Sequence, residues 1–102
     1  MSGIGQFEFS APLWRYPGDV AWYFVSVPAE ISDDILELTG SVRRGFGSVR
    51  VVVTVGSTTW RTSLFPDSKR GTYLLPVKKA VRTAEDLEPD GDVHALIELA
   101  DL

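Results

Sequence analysis

Two stretches of this chain read alike, and that likeness constrains the fold more than any other feature. Val25-Ser26-Val27-Pro28, an acidic helix, a glycine loop and Gly47-Ser48-Val49-Arg50-Val51 form the first. Tyr73-Leu74-Leu75-Pro76, a basic helix, a turn and Gly91-Asp92-Val93-His94-Ala95 form the second. Each is strand, proline, helix, glycine, strand. One such unit cannot close a core, because a short strand pair with one helix leaves an apolar face bare. Two of them packed face to face cover each other in a small closed barrel with a pseudo-twofold axis. On pattern alone, a chance recurrence of strand–proline–helix is an equal reading.

The elements follow from periodicity. Phe7, Phe9, Ala11 and Leu13 alternate with polar residues, the period of a half-buried strand. Pro17-Gly18-Asp19 marks a turn. The segment Ala21 to Val27 is aromatic and β-branched on both faces and reads as a central strand, with Trp22 in the core. Pro28 opens a helix whose stripe is Ile31, Ile35 and Leu38, and Gly40 ends it. Ser48 to Val55 and Thr58 to Phe65 form a hairpin around Gly56-Ser57, which needs positive φ at its first position. Pro66 to Gly71 reads as a polar loop and Thr72 to Leu75 as a short strand halted by Pro76. A short helix with Val77 and Val81 on one side carries Lys78, Lys79 and Arg82 on the other. Asp92 to Leu99 is the last strand, with Val93, Ala95, Ile97 and Leu99 inward. The expectation is a single all-β or β-rich α+β domain, 1–102, with about six strands and two short helices.

Length and composition are compatible with that. A chain of 102 residues buries enough surface to fold without a disulfide or a metal. It has no cysteine and one histidine, which removes thiol chemistry and most transition-metal sites; no cofactor is expected. The N-terminus is not patterned as a secretory signal, and no run reaches the roughly 20 apolar residues of a membrane span. A soluble, cytoplasmic protein with no membrane partner is the expectation.

Charge is segregated along the chain. Residues 1–40 carry six acids and one base, 41–82 nine bases and one acid, and 83–102 seven acids and no base. The net charge of −4 is therefore a remainder, and the basic middle can present an anion-binding face. The ordinary alternative is that the blocks are solvated faces that largely cancel.

Within that block, Arg43 and Arg44 precede Gly45-Phe46-Gly47-Ser48, whose glycines let backbone N–H groups converge on an anion. No Lys-Ser/Thr follows, so it is not a P-loop, and a plain connecting loop is favoured. Lys78 and Arg82 near a helix start suit phosphate or carboxylate, against a reading as a solvated helix face. Trp60, together with either cation, would make a ligand groove if its ring were partly exposed; Trp14 is open between core and surface. The candidate ligand residues are thus Arg43, Arg44, Ser48, Trp60, Lys78 and Arg82. His94 shares an outward face with Asp92 and Glu98, so a Ser-His-Asp arrangement is geometrically possible, but an exposed strand histidine is the ordinary reading. No catalytic residue is assigned.

Several segments resemble one family. Gly45 to Val51, Val55-Gly56, Trp60 to Pro66, Tyr73 to Lys78, Val81-Arg82 and Gly91-Asp92-Val93 are similar in order and spacing to the bacterial domain of unknown function 1905. The resemblance implies a double-split β-barrel, the architecture of the AbrB- and MazE-type transcription factors, with both barrel halves fused in one chain. It brings no established activity. A small binding module for an anionic or aromatic ligand, or for a protein partner, is the leading expectation. An AbrB-like nucleic-acid-binding regulator is the alternative, disfavoured by the sequence pI near 4.8. An enzyme comes third, because nothing resembles an activated nucleophile.

Overall fold

A computed structural model describes residues 5–40 and 47–100. Eight elements follow one another: β1 (Gln6–Arg15), β2 (Tyr23–Ser26), α1 (Ala29–Leu38), β3 (Val49–Val55), β4 (Thr58–Asp67), β5 (Thr72–Pro76), α2 (Lys79–Ala84) and β6 (Asp92–Leu99). The strands close into an antiparallel barrel in the order β1-β2-β5-β4-β3-β6. Closure removes the free sheet edges that a short-stranded domain would otherwise leave open.

The barrel is internally symmetric. Exchanging β1 with β4, β2 with β5 and β3 with β6 leaves every neighbour relation unchanged. The two strands of each unit are split apart, so β2 pairs with β5 and β3 with β6 of the other unit. Val25 pairs with Leu75 across the axis, and both are fully buried. The Val27 N–H donates to the Tyr73 carbonyl at 2.9 Å, and the Val77 N–H donates to the Tyr23 carbonyl at 3.0 Å. The second bond is the first with each residue replaced by the one fifty positions away.

That register corrects the alignment expected from sequence. Pro28 does not correspond to Pro76. Pro28 is the N-cap of α1, and its counterpart Lys78 is the N-cap of α2. Pro76 instead ends β5 and pairs with Phe24. Either residue type can start a helix, and packing of Val25 and Leu75 decides the register, not the prolines. Likewise α2 begins at Lys79, so Val77 precedes it, and β4 runs on through Pro66 to Asp67, paired with β5.

The core is filled by alternate residues of each strand. Phe9 and Leu13, Val49 to Val55 in steps of two, Trp60 and Leu64, and Val93 to Leu99 in steps of two point inward. The helices add Ile35 and Val81 to the same cluster. Ile31 is only partly buried and Leu38 is exposed, so the α1 stripe is narrower than its sequence pattern. Gly56 has φ +59, as the hairpin requires, and the Glu85 carboxylate accepts the Thr58 hydroxyl at 2.6 Å. That bond ties the end of α2 to the β3–β4 hairpin. Among the described residues, no helix is long and apolar enough to cross a membrane.

Candidate functional site

Strand parity decides what the barrel presents outward. Val25 faces the core, so Phe24 and the preceding Trp22 lie on the outer side of β2. Trp22 is 58% exposed, which overturns the expectation that it belongs to the core. It stands before the first paired residue of β2 and packs only outward, with its ring 6.2 Å from that of Phe24. Trp60 is the opposite case. It is 8% exposed and belongs to the core.

A groove of about 490 Å³ lies between the start of β2, the middle of β4 and the start of α2. Its aromatic lining residues are exposed Trp22, half-buried Tyr23 and the buried Phe24 and Trp60. Arg61, Lys78, Lys79 and Arg82 supply four cations, and among the described residues no carboxylate lines it. Among the described residues, none of the four cations has a carboxylate within ion-pair distance. The acid nearest in sequence, Glu85, is turned away toward Thr58 and Ser57.

Arg82 is the ordered cation of the group. Its Nη1 donates to the Val77 carbonyl at 2.8 Å, and its guanidinium carbon lies 4.0 Å from the centre of the Tyr23 ring. Stacking and a backbone bond fix the plane of a group that otherwise has many rotamers. Arg61 and the two lysines are exposed. Their charge is available, but their positions are set only by their backbones.

Of the candidate residues, the structure thus brings Trp60, Lys78 and Arg82 to one groove. Ser48 precedes β3 and does not line it. Arg43 and Arg44, with Gly45 and Phe46, lie outside the described residues. With α2 only six residues long, the charge of the groove comes from its side chains and not from a helix dipole. Tyr23, Trp22 and Arg61 were not among the candidates, yet parity contains the signal for two of them. With Val25 and Val27 inward, Trp22 must point out; with Trp60 inward, so must Arg61.

The basic block is only partly neutralised. Arg70 is paired with Asp67 at 2.6 Å, and its guanidinium lies 4.3 Å from the Trp14 ring centre. Trp14 in turn is half-buried and donates its indole N–H to Ser26 at 3.0 Å. The Arg70 guanidinium holds the Asp67 carboxyl below its ordinary value, with help from the Lys69 and Arg70 backbone N–H groups and against some desolvation. Arg50 is exposed beside Arg61 in a smaller depression that adjoins the groove, so the basic surface extends along β3 and β4.

His94 has other partners than Asp92 and Glu98. Its Nδ1 is 2.9 Å from the Ser10 hydroxyl and its Nε2 is 2.6 Å from the Glu8 carboxylate, both on β1. The line Ser10–His94–Glu8 has the order of a nucleophile, base and orienter. It lies on the exposed outside of paired strands, where ladder pairing of β1 with β6 leaves no cluster of backbone donors for an oxyanion. It is a cross-strand clamp.

The chain matches the family model for the domain of unknown function 1905 (DUF1905) over residues 9–97. It is a member of the DUF1905 family. The match runs from Phe9 on β1 to Ile97 on β6, and so spans both barrel units of this DUF1905 chain. Among curated proteins, none matches the chain.

Proposed function

We propose that this DUF1905 barrel is a binding module for a small organic anion, held in the groove between β2, β4 and α2. One observation carries the reading: four cations share a groove with exposed Trp22 and half-buried Tyr23, and among the described residues no carboxylate lines it. Cations gathered in a concave site raise the local concentration of anions. The aromatic surface favours a ligand with a flat apolar body, and the volume lies within the range of about 300–1,000 Å³ typical of small-molecule sites.

Titration calorimetry with 2-naphthoate tests this. Binding with one site per chain, weakened by added salt and by the Lys78→Ala and Arg61→Ala substitutions, is the expected result. No binding at millimolar ligand, or binding indifferent to both substitutions, rejects the groove.

A second reading is nucleic-acid binding, favoured by the basic surface that continues from Arg61 to Arg50. Exposed Trp22 beside cations suits base stacking. Anisotropy with labelled duplex and single-stranded DNA at about 50 mM salt tests it, since phosphate contacts are strongest there. Absence of binding under those conditions removes this reading.

A further inference from the structure

The anion reading of the groove is deepened by the barrel's own symmetry. A second groove, of about 400 Å³, overlaps the position that the internal twofold relates to the first. Gly71, Thr72, Tyr73 and Ser32 line it, fifty positions from Ala21, Trp22, Tyr23 and Arg82. Among the described residues its charged lining is Asp33 and Asp67, the latter paired with Arg70, so the cations of the first groove have no counterpart in it.

The difference is sharpest at one backbone pair. In the first unit the Ser32 hydroxyl donates to the Val27 carbonyl at 3.1 Å and accepts the Tyr73 N–H at 3.0 Å. A single oxygen therefore closes both backbone groups, and Ser32 is buried doing so. In the second unit Arg82 takes that position and donates to the Val77 carbonyl at 2.8 Å. A guanidinium has five N–H donors and no acceptor, so it cannot receive the Tyr23 N–H as Ser32 receives that of Tyr73. The Tyr23 carbonyl accepts from Val77, and in an extended strand a residue's N–H points to the same edge as its carbonyl. What Ser32 gives Tyr73 and Arg82 does not give Tyr23 is an acceptor oxygen.

We infer that the ligand supplies that oxygen: a flat aromatic oxyanion, a carboxylate or a phosphate monoester, whose oxygens accept from the Arg82 guanidinium and the Tyr23 N–H. This rests on the groove being an anion site. Charge-assisted bonds from a planar fork suit either headgroup. Trp22, at the rim, is placed to cover the aromatic body, and its counterpart Thr72 explains why the second groove has no such platform.

The test compares 2-naphthoate, 2-naphthyl phosphate and neutral 2-naphthamide by calorimetry, with the Tyr23 amide followed by ¹⁵N NMR. Each oxyanion is expected to bind at least tenfold more tightly than the amide and to move the Tyr23 amide proton downfield; the tighter of the two identifies the headgroup. Arg82→Ser should fold, since a serine closes the equivalent position in the other unit, and lose at least tenfold in oxyanion affinity while keeping that for naphthamide. Arg82→Lys, which keeps the charge and loses the fork, should lose several-fold and serves if the serine variant does not fold. Equal binding of amide and oxyanions, or an unmoved Tyr23 amide in the bound state, overturns the oxyanion inference and leaves the groove standing. Failure of all three compounds to bind overturns the groove reading and this inference with it.

Discussion

Arg82 stands in one half of the barrel where Ser32 stands in the other, and each donates to the carbonyl of an equivalent valine, Val77 at 2.8 Å and Val27 at 3.1 Å. The scaffold around them is shared; Val25 and Leu75 pair across the axis and the reciprocal bonds of Val27 and Val77 match. Function on such a scaffold can differ between halves only through the residues placed at equivalent positions. The basic groove is the half in which that position became a cation.

Trp22 and Trp60 line the same groove but should respond oppositely to truncation. Trp22→Ala removes an exposed ring and should change stability by no more than about 0.5 kcal/mol, as surface substitutions do. Trp60→Ala opens a cavity in the core and should cost about 3–5 kcal/mol. Urea unfolding of both variants checks this, and comparable losses would mean that Trp22 is not on the surface.

Gly56 is a second site where the folded structure is exacting. A Cβ there would collide with the Glu85 carboxylate, and φ is +59. Gly56→Ala should destabilise by about 1–2 kcal/mol from the left-handed backbone, with more from breaking the Glu85–Thr58 bond. If thermal unfolding of Gly56→Ala matches the wild type, the hairpin is not tied to α2 as described.

Asp67 gives a pH dependence with a definite sign. Its carboxyl is held below the ordinary 3.8, chiefly by the Arg70 side chain. A group with a lowered folded-state pKa stabilises above its unfolded value, and that contribution is lost as pH falls through the folded one. Melting temperature should therefore drop below about pH 4, and Asp67→Asn should lower it at neutral pH while flattening the acid limb. An acid limb identical in Asp67→Asn and wild type contradicts the assignment.

How much of this was legible in the sequence depends on which physical signal each feature leaves. The inward sets of β3 and β6 follow from apolar residues at every second position, with Val52 and Leu96 the apolar exceptions on the outer face, and Asp92–Leu99 matches the expected last strand. The repeat was legible as a pattern but not in register, because Pro28 and Pro76 look equivalent while burial of Val25 against Leu75 decides otherwise. Trp22 was misplaced because an aromatic next to Tyr23-Phe24-Val25 reads as core unless parity is carried one residue past the strand end. The pairing of Arg82 with Tyr23 and Val77 left no local trace. It depends on β2 and β5 of different units becoming neighbours, which only closure of the barrel brings about.

Lys78→Ala and Arg61→Ala should each weaken a bound aromatic anion by about two- to fivefold, as expected for solvent-exposed charge contacts. The effects should shrink in about 0.5 M salt, where screening lengths fall to a few ångströms. Calorimetry at two salt concentrations checks both statements, and salt-independent affinity would mean that charge does not hold the ligand.

The most direct test of the groove is a ¹⁵N NMR titration of the intact chain with 2-naphthoate. The account predicts saturable shifts concentrated at the Trp22 indole, Tyr23, Thr62, Val77 and the Arg82 side chain, with the counterpart positions Thr72, Tyr73 and Ser32 unmoved. Shifts confined to the second groove or to the Ser10–His94 face, or no saturable shift at all, would contradict it.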